Sequence, residues 1–192
     1  LIAGGDVATS GSYSANGLLG LGGRIDITGQ SVRLLSTQIA ARGYKQGGLV
    51  RIGGAFQGSA ADRVARADYE RFEGRFGSLP RLANASTTFV NDGVAIDVSA
   101  VRGIGGGAVI WSDKRTTMLG ALRATGPRGG GTAEVSGKDE LRYVDLTTIN
   151  TGVGGNLLLD PSFITIGNFA EASSWQYAAI VGGAGLPGVA RV

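Results

Sequence analysis

The sequence predicts an all-β fold, a right-handed parallel β-helix with about 24 residues per coil and one insertion extruded from a corner. Three observations point to it. A glycine pair followed by a short strand recurs at Gly22-Gly23, Gly47-Gly48, Gly106-Gly107, Gly130-Gly131 and Gly154-Gly155. The second glycine steps by 25 residues between the first two copies and by 24 between the last three. Residues after each pair alternate in polarity, as strand side chains do when successive ones point to opposite faces. Composition agrees: 35 glycines exclude a stack of helix pairs, 4 prolines exclude collagen, and 43% hydrophobic residues are too many for a disordered chain.

Aligned on the glycine pairs, the copies sort into columns. Ile25, Val50, Val109, Ala133 and Leu157 form one, and Ile27, Ile52, Trp111, Val135 and Leu159 another; both read as inward. Between them lie Asp26, Arg51, Ile110, Glu134 and Leu158, a column that carries charge and reads as outward. Trp111 is therefore expected in the core rather than on a ligand. Asp26 and Arg51, neighbours on successive coils, are expected to make an exposed pair worth at most about 1 kcal/mol.

The elements follow in chain order within a single β-helix domain over 1–192. Residues 1–21 are small and polar around Leu18, Leu19 and Leu21 and read as an irregular leading coil. Strands are expected at 23–28, 31–35 and 38–41, three to a coil with glycine and polar corners. Later coils repeat the layout at 87–90 and 94–98, at 116–119 and 121–124, and at 140–143 and 145–147. The interval from Gly48 to Gly107 is 59 residues, about one coil and a half too long. Its excess, 59–86, reads as an insertion at a corner. Charges three and four apart, such as Asp62 and Arg66, suit a short solvated helix there, with Val64, Tyr69, Phe72 and Phe76 along one side. Residues 170–192 read as an irregular terminal segment.

Function classes narrow on composition. Cysteine and histidine are absent, which removes disulfides, thiolate chemistry and the commonest general base and metal ligand. The net charge of +3 is scattered, so no nucleic-acid partner is expected. No stretch is long and apolar enough for a transmembrane helix, and the first residues lack a signal peptide's pattern, so the start reads as processed or truncated. Residues 103–107 are glycine-rich but lead into a strand, so they read as corner residues and not as a phosphate loop. Asp97, Asp113, Asp139, Glu140, Asp145 and Asp160 are the available acid–base groups. The columns bring no two of them together as a glycosidase would need, and Asp160, before Pro161, suits a turn.

The same stretches carry a family resemblance. Gly106-Gly-Ala-Val-Ile-Trp-Ser-Asp113, Thr116-Thr-Met-Leu-Gly120, Glu134-Val-Ser-Gly-Lys138 and Gly155-Asn-Leu-Leu-Leu-Asp-Pro-Ser-Phe-Ile-Thr-Ile166 resemble filamentous-haemagglutinin-type exoproteins. Gly47-Gly-Leu-Val-Arg-Ile-Gly-Gly-Ala-Phe-Gln-Gly58 resembles a preceding coil of that family. The resemblance implies a secreted or cell-surface β-helical protein of Gram-negative bacteria, exported by two-partner secretion and often adhesive. The expectation is thus a non-enzymatic structural or adhesive protein without cofactor or metal. It would self-associate through its coil ends or its insertion, and offer a repetitive face to a glycan or protein. Ile110, Leu158, Tyr69, Phe72, Phe76 and Trp175 are the candidate self-association surface. A carbohydrate-active β-helix enzyme and a glycan-binding module are the alternatives.

Overall fold

The computed structural model describes residues 1–59, 66–144, 146–166 and 190–191. Their strands are β1 (Val7–Ser14), β2 (Arg24–Ile27), β3 (Ser31–Ala40), β4 (Leu49–Ile52), β5 (Thr87–Val90), β6 (Ala95–Asp97), β7 (Gly107–Ser112) and β8 (Arg115–Met118). They continue with β9 (Ala121–Arg123), β10 (Thr132–Gly137), β11 (Glu140–Val144), β12 (Ile149–Asn150), β13 (Asn156–Leu159), β14 (Phe163–Ile166) and β15 (Ala190–Arg191). One α-helix, α1 (Arg66–Phe76), lies among the described residues.

Strand pairing winds these into about five turns of a parallel β-solenoid. A six-stranded sheet runs β15-β13-β10-β7-β4-β2, parallel throughout except where β15 meets β13. A nine-stranded sheet contains the rest and folds in two along β3. The first half of β3 pairs with β5 and its second half with β6, so one long strand serves two faces. β1 pairs along the whole of β3, with a register shift between Thr9 and Gly11. The cross-section therefore has three faces: the first from β2, β4, β7, β10 and β13, the second from β5, β8, β11 and β14, the third from β6, β9 and β12. Residues 1–21, expected to be irregular, hold the regular strand β1. The strand expected at 145–147 is replaced by a 3-10 turn at Leu146–Thr148 and the short β12.

The core is a stack of aliphatic ladders. Ile27, Ile52, Ile110, Val135 and Leu159 succeed one another on the first face, Leu34, Val90 and Met118 on the second, and Ile39, Ile96 and Leu122 on the third. All are 1% exposed or less.

The register corrects one coil of the sequence alignment. Arg51 pairs with Val109 and Ile52 with Ile110, so the glycines equivalent to Gly47 and Gly48 are Gly105 and Gly106. Three consecutive glycines at 105–107 offer two phases, and a slip of one residue exchanges the faces of every side chain that follows. Ile110 thus points into the core, while Val109 and Trp111 point outward. Gly107 stands where other coils have Leu49, Thr132 and Asn156. A Cβ there would lie 2.6 Å from the ring of Phe76, so its smallness makes room for the helix.

The outer surface of the first face is not solvent. The insertion leaves the stack after β4 and folds back over it, so that it is a cover rather than an extruded arm. Leu49, Val109, Trp111 and Leu158 from the sheet join Phe56 and Phe72 in a second apolar cluster, with Tyr69, Phe76 and Leu79 packed against it. Phe56 and Phe72 stack with centroids 4.3 Å apart and planes 4° from parallel.

Candidate binding surfaces

Beneath that cover, polar groups of the outward column are each met by the insertion. Arg51 is buried, and its Nε and Nη2 each donate to the Asp26 carboxylate at 2.8 Å while Nη1 donates to the Pro80 carbonyl at 3.1 Å. The pair expected to be exposed is therefore an internal, two-pronged one, and Arg24 adds a third nitrogen 3.1 Å from Asp26. Glu134 is also buried and accepts from the Gln57 backbone N–H at 2.8 Å. That contact is made by a turn held in the left-handed region, with φ of 51° at Gln57 and 60° at Ser59. Such backbone is costly for residues other than glycine and persists only where its surroundings enforce it. Asp113 accepts from Asn84 at 3.0 Å and from the Trp111 indole at 3.2 Å, which ties the turn after β7 to the insertion.

A cleft of about 260 Å³ remains between the helix and the sheet, lined by Phe56, Arg71, Phe72, Arg75, Thr132, Asn156, Leu157 and Leu158. Arg75 donates to the Thr132 hydroxyl at 3.4 Å and to the Gly105 carbonyl. Burial draws its guanidinium below the usual arginine value. Tyr69 is pushed up by burial and by neighbouring Glu73. These contacts pin the helix to the rod.

The second face is open and differently built. Its outer residues form two rungs in register: Ser31, Thr87, Arg115 and Glu140, then Arg33, Phe89, Thr117 and Arg142. A shallow groove of about 560 Å³ runs along it, lined by Thr87, Thr88, Phe89, Arg115, Thr117, Leu119 and Arg142. Glu140 sits between two guanidinium groups, accepting from Arg115 Nε at 2.6 Å and from Arg142 Nε. These hydrogen bonds hold its carboxyl below the usual glutamate value. The bridge fixes both arginines on the groove floor, beside a half-buried phenyl ring and a row of hydroxyls. Such a strip can stack on an apolar ring face and hydrogen-bond hydroxyl or acidic groups along an extended ligand.

Of the residues singled out from sequence as a self-association surface, Ile110 is in the core, and Leu158 and Phe72 are buried at 6% and 4% exposure. Tyr69 and Phe76 are half-buried beside them, and Trp175 lies outside the described residues. They do come together, but as the seam between helix and sheet. The carboxylates scatter as local fasteners: Asp97 accepts from the Ser99 N–H at 2.9 Å, and Asp160 is buried. Asp145 lies outside the described residues. The rungs of the second face were missed because only the first strand of each coil was aligned. The same period applied to the second strand places Phe89, Thr117 and Arg142 in one column. Among the described residues no group of three or more acidic side chains could hold a metal ion, and no helix is long and apolar enough to cross a membrane. The chain matches no protein-family model and no curated protein.

Proposed function

We propose that the chain is an exported, non-enzymatic adhesive β-solenoid of filamentous-haemagglutinin type, self-associating into rods, whose second face receives an extended glycan. The observation that carries this reading is the pair of in-register rungs, in which Phe89, Arg115, Thr117 and Arg142 repeat at the coil spacing of about 4.8 Å along an open groove. A repetitive strip of donors beside an aromatic ring suits a repetitive, hydroxylated polymer. Carboxylate-driven hydrolysis is disfavoured, because Glu134 and Asp160 lie under the cover and out of a polymer's reach.

Binding of the purified chain to a panel of neutral and acidic polysaccharides tests the proposal, with release of reducing ends followed in parallel. Retention on at least one glycan is expected, with Phe89→Ala and Arg115→Gln each weakening it by about 1 kcal/mol or more. Retention unaffected by either substitution would remove the second face from the reading. Steady release of reducing ends would replace adhesion by catalysis.

A further inference from the structure

A different surface of the rod has a chemistry of its own. The corner that leads from the third face back to the first is built from the loops 15–23, 41–48, 98–106, 124–131 and 151–155. These loops contain Arg42, Lys45, Arg102 and Arg128 and no acidic residue. All four cations are exposed. Between them stand Leu18 at 86% exposure, Leu19 at 83%, Val153 at 91%, and Leu21, Val101 and Ile104. Six of the nine exposed large hydrophobic residues among the described residues thus fall on this one corner. Scattered single apolar side chains are normal on a surface, whereas a continuous row of them marks a contact site.

The row is held rigid. Tyr44 N donates to Gly17 O at 3.0 Å, Arg102 N to Tyr44 O at 2.9 Å, Arg128 N to Gly103 O at 3.0 Å, and Gly130 N to Val153 O at 2.7 Å. The loops approach so closely that a Cβ on Gly103 would lie 1.6 Å from the Lys45 carbonyl oxygen. Five stacked loops therefore project their side chains along a line about 20 Å long, at about 4.8 Å per step. Arg42 has an acidic neighbour on the third face, Asp97, at 3.9 Å.

We infer that this corner is a docking ridge for an anionic lipid bilayer, lying along the membrane surface with its leucines and valines in the headgroup boundary and its cations among the headgroups. Charge complementarity selects the sign of the partner. The aliphatic tips select its class: a soluble polyanion satisfies the arginines but leaves Leu18, Leu19 and Val153 in water, whereas a bilayer satisfies both. Electrostatic attraction and shallow apolar insertion together give reversible surface binding, and each cation contributes about fivefold in affinity near an anionic surface.

Co-sedimentation of the full chain with vesicles of equal parts phosphatidylcholine and phosphatidylglycerol, against vesicles of phosphatidylcholine alone, tests this. Binding to the anionic vesicles is expected, falling as salt is raised. The combined substitution Lys45→Gln, Arg102→Gln and Arg128→Gln should weaken it on the order of a hundredfold. The combined substitution Leu18→Ser, Leu19→Ser and Val153→Ser should abolish the salt-resistant part while leaving the circular dichroism unchanged, since all three are solvent-exposed. No binding to anionic vesicles at low salt overturns the proposal. So does binding that survives both sets of substitutions. Equal affinity for dextran sulfate, insensitive to the serine substitutions, would make the ridge a polyanion site instead. A concentration-dependent dimer, lost with the serine substitutions in the absence of lipid, would assign it to a second copy of the chain.

Discussion

The ion pair between the first two coils shows how much one side chain can depend on another. Arg51 is 1% exposed, and its charge is met by Asp26 and one carbonyl. Removing one partner of a buried pair leaves the other charge desolvated and uncompensated. Asp26→Ala is therefore expected to cost about 3 kcal/mol in urea unfolding. The exposed Asp92→Ala should change stability by less than about 0.5 kcal/mol. Equal midpoints for the two variants would show that Arg51 does not rely on Asp26. Glu140 makes a contrasting case, because its two arginines are solvent-exposed and salt screens them. Its folded carboxyl titrates below the unfolded value, so its contribution is present above the unfolded value and is lost as pH falls through the lowered folded one. A side-chain NMR titration should find its midpoint below that of an ordinary glutamate, and Arg115→Gln should move it back up. A midpoint unmoved by that substitution would dissolve the bridge as its cause.

At the scale of elements, the helix and its flanking turn act as a lid on the first face. Replacing 60–80 by a short Gly-Ser linker should leave β-type circular dichroism, since the core ladders do not include the helix. It should also expose Leu49, Val109, Trp111 and Leu158, giving dye binding typical of apolar surface and a lower melting temperature. A variant that melts and stays soluble like the intact chain would show that the lid contributes nothing. The coil period, the inner ladders and the position of the insertion were legible from glycine spacing and alternation alone. The role of the insertion was not. Asp26, Arg51 and Glu134 look solvated in a pattern of polarity, because such a pattern does not distinguish water from an internal partner. The phase of the third coil was hidden for a simpler reason. Three glycines in a row leave two equally good alignments, and only the ring of Phe76 above Gly107 decides between them.

At the scale of the molecule, the three long surfaces of the rod do different work: one is sealed by the lid, one is an open ladder of hydroxyls, arginines and a phenyl ring, and one corner is basic and aliphatic. The pairing that stacks them also sets how the rod responds to tension. Hydrogen bonds between coils lie along the axis, so traction on the two ends peels strands from the stack one coil at a time instead of shearing them together. Equivalent residues Asp26, Arg51, Val109, Glu134 and Leu158 are 25, 58, 25 and 24 residues apart. In a single-molecule pulling trace each ordinary coil should lengthen the chain by about 90 Å, at roughly 3.5 Å per freed residue. The step that releases Arg51 from Val109 should instead yield about 200 Å. That step must also strip the aromatic seam of α1, so its force peak should be the highest of the series. Steps of uniform length would mean that the lid detaches before any coil does. The insertion would then act mechanically as a catch, placed mid-rod, that sets the load at which the fibre begins to give.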